Sequence, residues 1–486
     1  MDFKIYNTLT KKVEIFKPVK QGVVGIYACG PTVYDLTHIG HMRKYTMDDI
    51  LKRTLTYLGY EVKHVMNITD VGHLASDADE GDDKLEKGAL KSGKSVWDVA
   101  SQYTDYFFNT TDALNIIRPD VTPRATDHIG QIITMINKLL ASKHAYVTQK
   151  AIYFDTNTYP NYGMLSGQNI ADKQVGVRGE VVTDPDKRHP TDFALWFFCV
   201  GHFENHTMRW ASPVGENDGF PGWHIECSAM SMHYLGDQID IHTGGIDHIP
   251  VHHENEIAQS MCAHHYNNNE QFVNYWLHYD FLTVDGEKMS KSKNNFYTLD
   301  NVRSHQINPL ALRLYFMGTS YRKPLNFTWE GAMSANNMYT KIITQAMNLQ
   351  SGLQSNLASH KSDLWLVDEK YVNDFKQALC DDLNTARALA VVFEMLADKN
   401  INDADKYTTL IDMDKVLGLD IEKVVLALSG NISNNIIELA EKRKLAKEIK
   451  NYKLADDLRA EIETLGYEVI DTTTDGQDSY KIIKKL

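Results

Sequence analysis

Two histidines flank a glycine at His38-Ile39-Gly40-His41, and three lysines alternate with small hydroxyl residues at Lys288-Met289-Ser290-Lys291-Ser292-Lys293. Imidazoles one helical turn apart, around a glycine that permits close approach, suit a bound triphosphate, and a cationic loop suits pyrophosphate. Taken singly, the first pattern also describes two surface histidines at a helix start. The second also describes a solvated lysine-rich face. Cys29, Cys227, His252 and Glu256 form another set. His252 and Glu256 share one face of a helix and can grip one ion. Buried cysteines without such partners are inert, so the residue types alone leave both readings open.

These groups need a frame. Gly22–Ala28 is a short apolar run that reads as a buried parallel strand, broken by Cys29-Gly30-Pro31-Thr32. Helical periodicity follows from His41 through Met47, Ile50, Leu51, Leu55 and Leu58, with Gly59 placed as a C′ glycine. Val62–Ile68 closes a strand–helix–strand unit, and Asn67-Ile68-Thr69-Asp70 ends it at the crevice where open α/β sheets bind ligands. A second half begins at Gly222-Trp223-His224-Ile225-Glu226-Cys227, with a helix over Ile225–Met232 and a strand over Ile239–His242. Thr243-Gly244-Gly245-Ile246-Asp247 reads as a tight turn whose carboxylate suits a ribose hydroxyl. A helix from His252 to about His264 and a hairpin turn at Asp285-Gly286 lead into the lysine loop.

The string CGPTVYDLTHIGH resembles the HIGH signature of class I aminoacyl-tRNA synthetases, in the form carried by the cysteinyl-tRNA synthetase family. Lys288–Ser292 resembles that family's KMSKS loop, and Phe375–Arg387 resembles one of its helical segments. The resemblance implies a doubly wound parallel sheet of Rossmann type with an inserted connective segment, then a helical bundle and a small C-terminal domain. It implies catalytic roles for His38, His41, Lys288 and Lys291, and ATP contacts at Gly30, His38, Gly40, His41, Gly244, Gly245, Asp247 and Lys291. Substrate contacts are expected at Cys29, Thr69, Trp223 and His224; for Trp223 the other reading is a buried core side chain. One Zn2+ is expected on Cys29, Cys227, His252 and Glu256, and Mg2+ with ATP. The implied partners are ATP, L-cysteine and tRNA(Cys), with the chain a monomer. Ile249-Pro250-Val251 stands before His252 where the family usually has Phe-Pro. A related ligase that joins cysteine to an amino sugar shares the core but lacks the C-terminal RNA-binding part.

The expected segments are 1–115 and 223–300 as catalytic halves, 116–222 as the insertion, 301–345 as a stem-contact junction, 346–430 as the bundle and 431–486 as the anticodon-binding domain. Helices are expected over Asp127–Ala141, Ala332–Leu353, Val372–Leu396 and Val416–Leu428, and after the Asn308 cap with Pro309 at the first helical position. Strands are expected at Lys12–Phe16, Ala151–Asp155 and Phe193–Phe198. The acidic stretch Ser76–Asp83 reads as solvated, and Thr156–Pro190 as a long polar connection. Gly88–Ser95 matches the P-loop pattern letter for letter, but an acidic feeder opposes a triphosphate there. Lys442, Arg443, Lys444, Lys447, Lys450 and Lys453 read as one basic helix, either solvated with charge pairs or facing phosphates. Tyr480 replaces the family's usual tryptophan in the final strand and keeps a stacking platform.

Composition fits this frame. A chain of 486 residues exceeds one small domain. Its net charge of −14 excludes indiscriminate nucleic-acid binding but not a local basic patch. Five widely spaced cysteines do not make a disulfide framework. With no membrane span or signal-peptide pattern, a cytoplasmic protein is expected.

Overall fold

A lead-in hairpin, β1 (Lys4–Asn7) with β2 (Lys12–Ile15), precedes the buried strand β3 (Val23–Ala28). Helix α1 (Ile39–Tyr57) crosses to β4 (Glu61–Met66), which pairs in parallel with β3. Gly59 has φ +94°, as a C′ glycine should. The structure is a computed structural model and describes all residues except 72–73, 77–79, 168–185, 265, 267–269, 359–365, 430–433, 475–476 and 485–486. Most of the polar connection Thr156–Pro190 and the middle of the acidic stretch therefore lie outside the described residues.

What is described of the acidic stretch forms the pair β5 (Leu74–Ser76) and β6 (Glu80–Asp83). Asp83 is not solvated as expected: it is buried, and its carboxylate accepts from the Leu85 and Glu86 amides to cap α2 (Lys84–Ser92). The P-loop look-alike is helix, not loop. Gly88–Ser92 lies inside α2, Gly93 ends it with φ +66°, and Ser95 caps α3 (Val96–Ala113).

Next come α4 (Ile129–Ala141) and a sheet of β7 (Ala145–Val147), β8 (Ala151–Phe154), β9 (Phe193–Phe198), β10 (Trp210–Ala211) and β11 (Asp218–Pro221). This sheet has five strands in the order β10-β11-β9-β8-β7, all antiparallel. The second half follows with α5 (Trp223–Leu235), β12 (Ile239–Gly245), α6 (His252–Ala263) and β13 (Val273–Tyr279). These strands complete a parallel sheet of four, ordered β13-β12-β3-β4. Thr243–Gly245 continues β12 instead of turning, because its backbone pairs with β3 and β13; the bend comes at the short 3-10 turn Ile246–His248.

The hairpin of β14 (Leu282–Val284) and β15 (Glu287–Lys288) turns at Asp285 and Gly286, both at positive φ, as expected for this dipeptide. Helices α7 (Leu299–Ser304) and α8 (Pro309–Met317) follow, the latter capped by Asn308, whose Oδ1 accepts from the Leu310 amide at 2.9 Å. Strand β16 (Leu325–Phe327) then pairs with β14.

The chain divides into two compact units, Met1–Ala332 with Asn373–Val391, and Met333–Val372 with Val392–Leu486. Helix α9 (Trp329–Ala358) opens the helical region. The expected helix Val372–Leu396 is two, α10 (Glu369–Cys380) and α11 (Thr385–Ala397), broken where Asp382 and Leu383 take positive φ. Val416–Leu428 also divides, into α12 (Asp403–Leu417) and α13 (Ile421–Ser429), because Gly418 is a left-handed cap. The C-terminal layer comprises α14 (Asn434–Glu448), α15 (Tyr452–Thr464) and the hairpin β17 (Tyr467–Thr474)–β18 (Gln477–Lys484). The basic run is therefore not one helix: Lys450 sits in a turn at φ +60° and Lys453 is on α15. No helix among the described residues is long and apolar enough to cross a membrane.

Candidate active site and metal centre

The turn after β3 is held against the end of β4. The Gly30 amide donates to Asn67 Oδ1 at 2.8 Å, and a Cβ on Gly30 would overlap the Asn67 carbonyl. Asn67 Nδ2 donates in turn to Thr69 Oγ1 at 2.9 Å, and the Thr69 amide donates to the Pro31 carbonyl. Thr69 is thus buried beneath the turn that ends in the signature histidines.

His38 is the N-cap of α1. Its Nδ1 accepts from the Gly40 and His41 amides at 3.1 and 3.4 Å, and the His38 amide donates to His41 Nδ1 at 3.4 Å. Both Nδ1 atoms therefore accept, which leaves each ring with Nε2–H as its donor. The rings stack with centroids 3.6 Å apart. Loss of water, then the charge of Lys291, holds His38 down to about 4. His41 keeps an exposed edge, yet the protein around its inner edge and then His38 hold it down to about 3. Both are neutral donors at pH 7.

The lysine loop reaches this turn. The Ile39 amide donates to the Tyr297 carbonyl at 2.9 Å, and Phe296 meets His38 edge-on with centroids 5.0 Å apart. Lys291 lies 5.0 Å from the Phe296 ring and pairs with Asp35 just before the signature. Lys288 is set apart on β15, over Phe281.

The four expected metal ligands converge. Ligand atoms of Cys29, Cys227, His252 and Glu256 all lie within 4.8 Å of one another, and all four residues are buried. Cys29 follows β3, Cys227 lies on α5, and His252 and Glu256 are one turn apart on α6. His252 Nε2 is 3.0 Å from Glu256 Oε1, an ion pair buried within the cluster. Burial raises Glu256 and lowers His252, but attraction between the carboxylate and its imidazole neighbours reverses both, taking Glu256 to about 2 and His252 to about 10. Burial raises the Cys29 thiol, and the hydrogen bond from Cys29, then burial, raises the Cys227 thiol. Two thiols, an imidazole and a carboxylate buried together are a donor set that a soft divalent ion satisfies.

Sequence reasoning missed the shell around this cluster. His242 Nε2 lies 3.0 Å from Glu256 Oε2, His253 Nε2 is 3.3 Å from Cys29 Sγ, and His253 Nδ1 is 2.7 Å from His278 Nε2. Cys29, His242, His253 and Glu256 form a second group close enough to share an ion. A histidine inside the apolar strand run Ile239–His242 was the available signal. Gly244 belongs to this shell, since a Cβ there would overlap the His253 ring. Lys44 also went unread: it donates to the Cys29 carbonyl at 2.6 Å and pairs with Asp48 at 2.8 Å.

Trp223 stacks on His252 with centroids 4.1 Å apart, and His224 Nδ1 lies 2.9 Å from His252 Nδ1, so both touch the ligand cluster. Asp247 follows Gly245 in the short turn after β12, and its charge acts on His41 and His248.

Residues 15–337 match the family of class I (C) tRNA synthetase catalytic domains, and residues 374–421 match the DALR domain. A cysteine–tRNA ligase of Treponema denticola is 44% identical, covering 96% of this chain and 97% of the relative. The chain belongs to the cysteine–tRNA ligase family. A member from Thermus thermophilus is 39% identical over 97% of this chain and 98% of its own length. Methionyl-tRNA synthetase of Mycobacterium tuberculosis, in complex with methionyl-adenylate, shares the fold with TM-score 0.58 at 15% identity, over 85% of this chain and 95% of that one. LeuRS of Agrobacterium radiobacter K84, in a ternary complex with tRNA, aligns with TM-score 0.62 at 11% identity, over 96% of this chain and 91% of that one.

Proposed function

We propose that this chain activates L-cysteine with ATP and transfers it to the 3′ end of tRNA(Cys), with zinc on Cys29, Cys227, His252 and Glu256 selecting the thiol. The observation that carries this reading is the buried two-thiol, imidazole and carboxylate cluster at the strand end that leads into the His38–His41 turn. The donor types fit zinc, and Glu256 Oε1 and His252 Nε2 face each other at 3.0 Å within that cluster. Bound there, zinc supplies a soft Lewis acid that favours thiolate over hydroxyl.

The remaining chemistry needs positioning and charge stabilisation, not a covalent intermediate on the protein. The cysteine carboxylate attacks the α-phosphorus, the bond to the bridging oxygen breaks, and pyrophosphate leaves with Mg2+. His38 and His41, neutral and fixed with Nε2–H as donor, hydrogen-bond the α- and β-phosphates as charge develops. Lys291 releases Asp35 to hold the departing pyrophosphate, assisted by Lys288. Gly30, Gly40, Gly244 and Gly245 keep the crevice open to nucleotide, and Asp247 takes a ribose hydroxyl. Thr69, Trp223 and His224 support the amino-acid end, Trp223 by fixing the His252 ring. The terminal ribose hydroxyl of tRNA then attacks the cysteinyl carbonyl and AMP leaves.

Residues 1–115 and 223–300 act together, a reading supported by their shared parallel sheet. In this reading 116–222 is the connective insertion, 301–345 meets the tRNA stem, 346–430 is the bundle, and 431–486 reads the anticodon. The chain works as a monomer in the cytoplasm. The alternative, cysteine joined to an amino sugar, leaves the C-terminal helices and hairpin without a task.

Transfer of labelled cysteine to bulk tRNA, with ATP and Mg2+, tests the proposal as acid-precipitable counts. Strong charging is expected. Adenylate formation without charging would overturn the tRNA reading and favour a small-amine acceptor.

A further inference from the structure

We propose that the corner between α2 and α3 is a docking site for the single-stranded 3′ end of tRNA on its way to the crevice. The proposal rests on the ligase reading above and adds a surface to it.

The corner carries the stretch whose letters imitate a P-loop and whose helical backbone cannot serve as one. Lys84–Trp97 contains four lysines and one glutamate, in a chain of net charge −14. Lys87, Leu90 and Lys91 lie at helical spacing on one face of α2. Among the described residues no ion pair engages Lys87 or Lys91. Leu90 is 85% exposed and Trp97 is 51% exposed. The neighbours Val96 and Val99 are buried, so α3 has an inward face and Trp97 is not on it. Within fourteen residues of chain, a surface tryptophan and an exposed leucine accompany Lys87 and Lys91, which enter no ion pair among the described residues, a composition of stacking platform and phosphate contacts that holds single-stranded nucleic acid. An acidic or apolar protein partner would use only half of it.

Position favours the 3′ end over other parts of an RNA. The α2 helix abuts the rim of the signature turn: Lys84 Nζ lies 5.5 Å from the Tyr34 ring, and a Cβ on Gly88 would sit 3.7 Å from the Tyr34 carbonyl. Tyr34 adjoins Asp35, whose carboxylate pairs with Lys291 of the pyrophosphate loop. A strand delivering its terminal ribose to this crevice passes the rim, and the corner extends that rim with cations and an aromatic face.

Trp97→Ala and the pair Lys87→Glu/Lys91→Glu test this with the full chain. Pyrophosphate exchange, run without tRNA, reports whether each variant is folded. Loss of one stacked base should weaken tRNA binding about 5-fold or more, and Trp97→Phe should restore it. The lysine pair should lower the salt dependence of binding by about one to two units of log–log slope. Against a tRNA lacking its four 3′-terminal nucleotides, wild type and Trp97→Ala should bind alike. Two results overturn the site: variants that bind intact tRNA as wild type does, or a Trp97→Ala defect that persists on the shortened tRNA. A wild type that neither binds nor charges tRNA would instead remove the ligase reading itself.

Discussion

In the crevice of the first compact unit, Cys29, Cys227, His252 and Glu256 are buried with one another, ringed by His224, His242, His253 and His278. In the C-terminal layer the buried cluster is apolar, made of Ile436, Leu439, Ala440, Leu458, Ile462 and Val469. Its charges lie around that core. Among the described residues Arg443 is the exception, nearly buried yet bidentate to Asp471, which Lys447 also meets at 2.9 Å. Tyr480 is likewise tied, donating to Glu441 at 2.6 Å while its ring packs on the small core. The two regions use polar side chains in opposite ways. Two thiols, an imidazole and a carboxylate buried against one another form a metal donor set and so point to chemistry. Groups that pair with one another around an apolar core build a scaffold.

The largest expected effect breaks the crevice at its ligands. Cys227→Ala or His252→Ala should weaken zinc binding by at least about 10²-fold, judged against the loss from removing only a supporting group. Metal analysis after dialysis checks this, and cysteine activation should fall with metal content. Next, His41→Ala removes one fixed donor and should slow adenylate formation by about 10²-fold in a pre-steady-state assay, with metal content unchanged. In the C-terminal layer, Arg443→Ala should cost about 1 kcal/mol of stability, read by denaturant unfolding, with no change in activation without tRNA. pH separates the regions further. His38 and His41 are lowered from the usual 6.5 to about 4 and about 3. Their contribution to stability is complete above about 6.5 and is lost as pH falls through the folded values. Activation should therefore show no inflection from these rings between about pH 6 and 8. An inflection that disappears in His41→Ala would contradict their neutral state. Smallest of all, Lys94→Ala should leave activation unchanged, since Lys94 donates to Gln102 beside the false P-loop.

Much of this contrast is legible in the sequence, because its local signals are chemical. Gly59, Asn308-Pro309 and Asp285-Gly286 fix turns and caps through their own backbone preferences, and the structure shows each of them. The ligand cluster was approached from the helical spacing of His252 and Glu256, with the family resemblance supplying the cysteines. Periodicity does not report breaks made from a distance. The interruption between α10 and α11 is held by Asp382, whose carboxylate accepts from the Tyr6 amide and Tyr321 hydroxyl and pairs with Arg322. The supporting histidines were hidden for a related reason. His242 and His253 acquire their roles only when β12 and α6 bring them against Glu256 and Cys29, and neither separation marks a motif.

The most direct test of the central claim compares cysteine with serine in ATP–pyrophosphate exchange. Thiol selection by a zinc-bearing crevice predicts a preference for cysteine of roughly 10⁴ or more, the scale reached when a site is built for one specific group. It also predicts that removing the metal abolishes exchange with cysteine. Comparable rates with serine, or full cysteine activation by metal-free protein, would contradict it.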